Sequence, residues 1–360
     1  DVDQCFTVWY NFFYKFGYHK IVKKFNLWCI LLHSVVYLLQ IWYLVINFSQ
    51  KLITTYFSTM MVTLYLIYVM IFLTMVERIH KNLDHQLQSL SWSIGSAGVK
   101  AKRIITDRST RNNRLIYVLW LLALFIFIII LPTWGSESEL FLCAAIFDNI
   151  LGNWSKILRF IYLATVPYLI YSSFRIPFMF LYYVLQIQTQ IFLLGEHILQ
   201  ISDIFPNTNN ANVTNDVSYQ NKINKRLCLF SQQHCDIKRF VANLHEVVKS
   251  AMPFLVVLGA LLDVALFFYI LNNFSTMNNI FIIRTFLFLA CGIYTLAIFC
   301  KAGQQLIEQS DQIFDALGTC PWYIWNAKNK STLITFMENS IKPLSFCFAG
   351  VVLDYKLAVT

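Results

Sequence analysis

Charged side chains are scarce in this chain. Asp, Glu, Lys and Arg make up 13% of its 360 residues, whereas hydrophobic residues make up 58%. A soluble domain cannot bury that much apolar surface, but a lipid bilayer can solvate it. Glycine and proline are also few, at 11 and seven residues, so long helices are permitted. The composition therefore predicts an all-α membrane protein.

Motifs that carry chemistry are equally sparse. The nine cysteines include no CxxC pair and no Cys/His cluster, which argues against a disulfide framework and a metal site. The sequence contains no nucleophile–base pair and no glycine-rich phosphate loop. We therefore expect neither enzymatic activity nor a cofactor. The net charge of +9 fits the inner-leaflet bias of a membrane protein, and no nucleic-acid partner is expected.

Six long apolar stretches dominate what is present. A bilayer core of roughly 30 Å requires about 20 apolar residues in a helix. The stretches that meet this length predict spans near residues 28–48, 52–76, 115–134, 158–185, 251–271 and 280–300.

Lys and Arg lie almost entirely on one side of these spans. Four precede the first span, eight lie in the loop 77–114 and six in the loop 194–250. The first loop on the other side contains only Lys51, and the loop 272–279 contains none. The positive-inside rule then places the N-terminus in the cytoplasm. That orientation, with the absence of D-R-Y and N-P-x-x-Y motifs, disfavours a G-protein-coupled receptor.

Apolar residues keep a helical spacing beyond the membrane. The stripes that show it are Ile187, Ile191, Leu194, Ile198 and Ile201 after span four, and Leu227, Phe230, Ile237, Val241, Leu244 and Val248 before span five. Such stripes indicate helices that pack on one another in water. They predict either an ordinary loop bundle or a compact domain that joins subunits. The Asn-rich stretch between the two stripes is expected to be a flexible connector.

A series of short motifs runs from span six to the end of the chain. They are Cys300, Gly303, Gln304, Ser310, Pro321-Trp322-Tyr323, Ser340-Ile341-Lys342-Pro343-Leu344 and Ala349-Gly350, together with His234 and Leu131-Pro132-Thr133-Trp134 earlier in the chain. In their order and spacing these motifs resemble those of the insect odorant receptors. Ile341 departs from the family pattern, which has Gln there. The chain also stops at Thr360, where the last pore-lining helix of the family would start, so we expect residues 331–360 to begin a truncated seventh element.

This resemblance implies a seven-transmembrane insect chemoreceptor fold with a cytoplasmic N-terminus and a cytoplasmic helical anchor domain. It implies an odorant-gated cation channel in the plasma membrane of olfactory sensory neurons, built with a shared co-receptor as a heterotetramer. The short loop between spans four and five resembles a ligand-tuned subunit rather than the co-receptor. A gustatory receptor of the same superfamily remains open as an alternative, and a G-protein-coupled-type receptor is the alternative from another class.

The expected organisation has five parts. They are a cytoplasmic N-terminal segment (1–27), spans one to four with an extension of span four (28–200), a flexible linker (201–226), spans five and six with anchor helices (227–330), and the start of the seventh element (331–360).

An odorant pocket requires apolar and aromatic walls in the outer half of the bundle, with few polar groups. The candidate ligand-binding residues are Tyr56, Thr59, Met60, Thr63, Phe127, Ile130, Trp134, Tyr162, Tyr168, Tyr171, Phe267, Tyr269, Phe281 and Phe286. For each aromatic residue alone, helix packing or the membrane-interface belt is the alternative.

Charges and histidines in or near the spans give further hypotheses. Asp263 and Arg284 lie at similar depth on neighbouring spans, so we expect either an ion pair that fixes helix packing or a polar anchor for an ester, aldehyde or alcohol. His33 is expected to hydrogen-bond between helices. His80 and His85 lie in a basic cytoplasmic stretch and are expected to be solvated. By resemblance, the residues expected to serve subunit assembly are Gly303, Gln304, Trp322, Tyr323, Lys342 and Pro343.

Overall fold

The computed structural model describes residues 6, 8–130, 141–201, 214–273, 279–348 and 351–357. Within them the chain is almost entirely helical, which confirms the predicted all-α architecture. The described residues form ten α-helices, which are α1 (Lys20–Ile46), α2 (Gln50–Met75), α3 (Glu77–Leu90), α4 (Val99–Ile130), α5 (Leu142–Leu151), α6 (Ser155–Ala164), α7 (Val166–Leu199), α8 (Val217–Asn273), α9 (Asn279–Gly318) and α10 (Ala327–Ser340).

Each predicted span falls on a helical segment of the described residues. Spans one and two coincide with α1 and α2, and span four crosses α6 and α7. These three segments are long and apolar enough to cross a bilayer. Spans three, five and six lie on α4, α8 and α9, and the last residues predicted for span three lie outside the described part of the chain.

Local sequence explains where several helices begin. The Ser49 hydroxyl accepts from the Leu52 amide at 3.3 Å and caps α2, and the Asn326 side chain caps α10 by accepting from the Asn329 amide at 2.9 Å. Pro167 lies in the first turn of α7, where its missing N–H costs no hydrogen bond, and span four breaks at Thr165.

The helices continue far beyond the membrane, as the apolar stripes predicted. Most stripe residues are almost completely buried, among them Ile187, Ile191, Leu194, Ile198, Leu227 and Ile237, and so are Leu306, Ile313 and Leu317 on α9. They belong to one core in which α7, α8, α9 and α10 meet. Helix α8 begins at Val217, so residues 217–226 of the predicted linker are helical.

Buried glutamines connect these cytoplasmic helices. Gln188 on α7 donates to the carbonyl oxygen of Ala302 at 2.6 Å, and Gln233 on α8 donates to that of Leu90 at 2.6 Å. Gln220 bonds to the Ile324 carbonyl at 3.1 Å and accepts from the Asn329 amide group at 2.8 Å. Because a buried amide without partners is costly, these contacts fix how the helices pack.

The segment after α9 stays with this cytoplasmic core. A 3₁₀ turn (Trp322–Ile324) leads into α10, which packs on α8 through Phe336 and His234, with ring centroids 5.5 Å apart. Two short antiparallel strands follow, β1 (Cys347–Phe348) and β2 (Val351–Val352). The described part of residues 331–353, at the start of the expected seventh element, forms the end of this helix and the β1–β2 hairpin.

The N-terminal segment folds back onto the bundle. It forms a π-helical turn, Tyr10–Phe16, whose Phe13 ring stacks on Phe178 of α7 at 4.7 Å and on Trp120 of α4 at 5.5 Å. The segment is therefore part of the packed core rather than a free tail.

Candidate functional site

Four of the predicted ligand-binding residues share one face of α2. Tyr56, Thr59, Met60 and Thr63 lie at positions i, i+3, i+4 and i+7, which places them on one side of a helix. Met60 is buried against Leu142 and Ile146 of α5, with Tyr56 packed beside them. Thr63 donates its hydroxyl proton to the Thr59 carbonyl at 2.9 Å, so its oxygen remains available as an acceptor.

Tyr162 of α6 joins this face from the opposite side. Its ring is buried with Val36, Cys143 and Phe147. Its hydroxyl interacts with the side chains of Thr63, Gln40 and Cys143. The structure thus brings Thr63 and Tyr162, predicted separately on spans two and four, into one polar cluster inside an apolar surrounding.

His33 extends the cluster toward the break in span four. Its Nε2 lies 2.8 Å from the Thr165 hydroxyl, which itself donates to the Tyr162 carbonyl at 2.6 Å. The Thr165 proton is therefore committed, and His33 Nε2 must be the donor, with Nδ1 as an acceptor. Among the described residues Nδ1 has no partner. The predicted helix–helix hydrogen bond of His33 is confirmed.

We define the outer polar cluster as His33, Gln40, Thr63, Tyr162 and Thr165. It combines a few hydroxyl, amide and imidazole groups with apolar walls from Met60, Leu142 and Phe147, which is the composition expected of a small-molecule site. Sequence reasoning missed Gln40 and Thr165. Gln40 lies seven residues, or two turns, after His33 on α1, and that spacing of polar residues within an apolar span was the available signal.

Two predicted tyrosines lie elsewhere. The Tyr168 hydroxyl donates to Asn26 at 3.0 Å, and the Tyr171 hydroxyl donates to the Phe12 carbonyl at 2.8 Å. Tyr171 is 16 residues beyond the start of α6 at Ser155, or roughly 24 Å of helix. The structure places both side chains toward the cytoplasmic half, whereas we expected them in the outer half.

Three of the described candidates on the last two spans are exposed. Phe267 and Phe286 are 64% and 67% exposed in the single chain, Asp263 is exposed and Tyr269 is partly buried. Residue Trp134 lies outside the described part of the chain. For four further candidates the structure describes the helical backbone but not the side chain, and these are Phe127, Ile130, Phe281 and Arg284. The pairing of Asp263 with Arg284 therefore stays a prediction.

The motif residues near the C-terminal end divide into two groups. Gly303 and Ser310 face inward: Gly303 lies against the Leu353 backbone, and Ser310 accepts from the Leu344 amide at 2.8 Å. Gln304 bonds within its own helix to Glu308 at 2.9 Å. The other candidates for subunit assembly are exposed, and they are Trp322, Tyr323, Lys342 and Pro343.

Comparisons with known proteins agree with this architecture. The family model of the 7tm odorant receptors matches residues 54–358. The structure of the insect olfactory receptor OR5 from Machilis hrabei is similar with a TM-score of 0.68 at 13% identity, over 95% of this chain and 86% of that chain. The structure of the same receptor in complex with eugenol gives a TM-score of 0.66 at 14% identity, over the same shares. No curated protein matches the sequence.

Proposed function

Because the chain belongs to the 7tm odorant receptor family, we propose that it is the ligand-binding subunit of an odorant-gated, non-selective cation channel. Membership makes it a multi-pass membrane receptor and not an enzyme. The finer proposal is that a shared co-receptor completes the channel as a heterotetramer in the plasma membrane of olfactory sensory neurons. The short connection between α7 and α8 supports the assignment as the ligand-tuned subunit, since the co-receptor has a much longer loop there.

The outer polar cluster carries the proposal. Tyr162 and Thr63 offer hydroxyl groups to a ligand, and Met60 with Phe147 provides apolar contact. Such a site suits a small volatile hydrophobic molecule with one oxygen function, because the apolar walls desolvate it and a hydroxyl orients it. The eugenol complex of the Machilis hrabei receptor supports a small organic ligand on this fold.

Gating then follows from differential affinity. A ligand shifts a closed–open equilibrium only as far as it binds the open state more tightly. The break at Thr165 separates α6, which holds Tyr162, from α7, which reaches into the cytoplasmic core. A ligand that moves α6 against α7 can therefore bias the cytoplasmic helices.

The test is electrical recording from cells that express this chain with a co-receptor, over a panel of volatile alcohols, aldehydes, esters and phenols. We expect inward cation current for some of them and none from either subunit expressed alone with the same odorants. Currents that need G-protein signalling, or no current with any volatile at normal surface expression, would contradict the proposal.

A variant pair tests the site itself. Tyr162→Phe keeps the ring but removes the hydroxyl, so the half-maximal concentration of an oxygen-bearing agonist should rise about tenfold, in line with the loss of one buried hydrogen bond. Tyr117→Phe on α4 is the control, because Tyr117 is exposed on the outside of the bundle. Equal potency of Tyr162→Phe and the control would remove the cluster from the binding site.

A further inference from the structure

A polar cleft lies at the cytoplasmic edge of the bundle, between α4, α7 and α9. The cleft is narrow and opens to solvent at its mouth. Its polar walls are formed by Arg108 and Arg111 from α4, Gln188 and Thr189 from α7, and Gln305 and Gln309 from α9. Two guanidinium groups and several amides therefore face one space.

The depth of this cleft corresponds to the lipid headgroups. Span three begins at Leu115, and Arg111 and Arg108 precede it by four and seven residues. At 1.5 Å per residue they lie about 6 Å and 10 Å on the cytoplasmic side of the apolar span. Inner-leaflet headgroups extend about 5–8 Å beyond the hydrocarbon core, so Arg111 lies among them and Arg108 lies at their outer edge.

The Arg108 guanidinium is held in place by two neighbouring helices. It stacks over the Phe192 ring of α7, 4.6 Å from the centroid. With the Gln309 amide oriented to satisfy both neighbours, Arg108 Nη1 donates to its oxygen at 3.0 Å, and its nitrogen donates to the Gln188 carbonyl at 2.9 Å. The guanidinium is thus preorganised, which lowers the entropic cost of binding an anion.

The cleft has an excess of positive charge. Within the described residues, no carboxylate lies within salt-bridge distance of Arg108 or Arg111. Burial and repulsion from Arg111 lower the pKa of Arg108, and attraction to Glu196 opposes this shift only in part. An anion bound between the two arginines would relieve that repulsion.

We propose that this cleft binds a phosphomonoester anion, carried by the phosphorylated headgroup of an inner-leaflet lipid. Two guanidinium groups match a dianionic phosphate through paired N–H donors, and the Gln305 amide can bond to a remaining oxygen. Basic pockets between helices on the cytoplasmic side are suited to such headgroups. The proposal is independent of odorant binding, since the cleft lies at the other end of the bundle from Tyr162.

The test uses the full chain in phosphatidylcholine nanodiscs and a fluorescent short-chain phosphatidylinositol bisphosphate. We expect Arg108→Gln with Arg111→Gln to weaken binding about tenfold or more. The matched control is Lys102→Gln with Arg103→Gln, which removes the same charge from exposed positions of the same helix and should change binding less than about twofold.

Two results would overturn the proposal. One is an equal loss of lipid affinity in both double variants, which would mean that binding depends only on net charge. The other is an unchanged lipid affinity in both double variants. Should Arg108→Gln fail to fold because Phe192 loses its partner, Arg111→Gln alone carries the test, as that side chain is exposed. Competition by soluble inositol trisphosphate tests whether the phosphate group belongs to a lipid. If inositol trisphosphate displaces the fluorescent lipid only weakly, the site is assigned to the lipid. If it binds as tightly as the lipid, the proposal of a lipid ligand would be overturned.

Discussion

The backbone amide of Leu344 donates to the buried hydroxyl of Ser310 at 2.8 Å, across 34 residues of chain. This bond ties the segment before the hairpin to α9. It explains why a serine in α9 and the Lys342-Pro343-Leu344 segment occur together in the motif that resembles the receptor family. The hydroxyl also donates to the Ile307 carbonyl at 3.0 Å, so both of its hydrogen-bonding functions are used.

Ser310→Ala leaves the buried Leu344 amide without its acceptor. An unsatisfied buried donor costs about 1–3 kcal/mol, so we expect a lower melting temperature of the purified chain, measured by tryptophan fluorescence. Ser331→Ala is the control, because Ser331 is exposed on α10. A melting temperature for Ser310→Ala equal to that of the control would show that the segment docks without this bond.

Gly303 allows the closest approach between α9 and the hairpin. A Cβ atom at this position would overlap the carbonyl oxygen and carbon of Leu353. Gly303→Ala should therefore displace the hairpin and destabilise the chain by about 1–3 kcal/mol, even though alanine favours a helix. Gly195→Ala on α7 meets no atom within 4 Å and should stabilise the chain by up to about 1 kcal/mol. Changes of the same sign in both variants would contradict the steric argument.

Helical periodicity predicted the cytoplasmic core well. Ile187, Ile191 and Leu194 were placed on one face from their spacing alone, and all three are buried. One signal of the same kind was missed. Helix α3 buries His80, Leu83, Leu87 and Leu90 at spacings of three, four and three, so His80 is part of an amphipathic stripe rather than solvated as expected.

Contacts between distant segments could not be predicted in this way. Tyr168 is positioned by its hydrogen bond to Asn26, and Tyr171 by its bond to Phe12 of the N-terminal segment. Phe12 and Tyr171 are more than 150 residues apart in the sequence. Similarly, the outer polar cluster depends on how α1, α2 and α6 pack, and no single span contains that information.

Burial of His234 makes the stability of the cytoplasmic core depend on pH. Desolvation, with a smaller contribution from Lys238, lowers the pKa of His234 to about 4. The unfolded chain binds the proton near pH 6.5, so stability is complete above about pH 6.5 and is lost as the pH falls toward about 4. The loss can reach about 3 kcal/mol for one such group.

Melting temperatures of the purified chain, measured across this pH range, test the predicted loss of stability. His234→Gln should make the dependence shallower, while His80, whose pKa is also lowered to about 4 by burial and by Arg175, keeps part of it. His85→Gln is the control, because His85 is exposed on α3. An unchanged slope in His234→Gln would contradict the assignment.

Arg175 fastens the N-terminal segment to α7. Its buried guanidinium lies 4.6 Å over the Tyr18 ring, and its Nε donates to the Phe13 carbonyl at 3.4 Å. Within the described part of the chain no carboxylate pairs with it, so the attachment depends on aromatic and backbone groups. Arg175→Met should release residues 8–18 while the rest of the bundle stays folded, since a methionine of similar length replaces a buried charge.

Hydrogen exchange of the backbone amides distinguishes local from global effects. We expect protection in residues 8–18 to fall about tenfold or more in Arg175→Met, with little change in α7 and α8. Lys24→Met, which removes one exposed charge from the same side of the membrane, should leave the segment protected. If protection fell equally in α7 and α8, Arg175 would hold the whole bundle together and not the N-terminal segment alone.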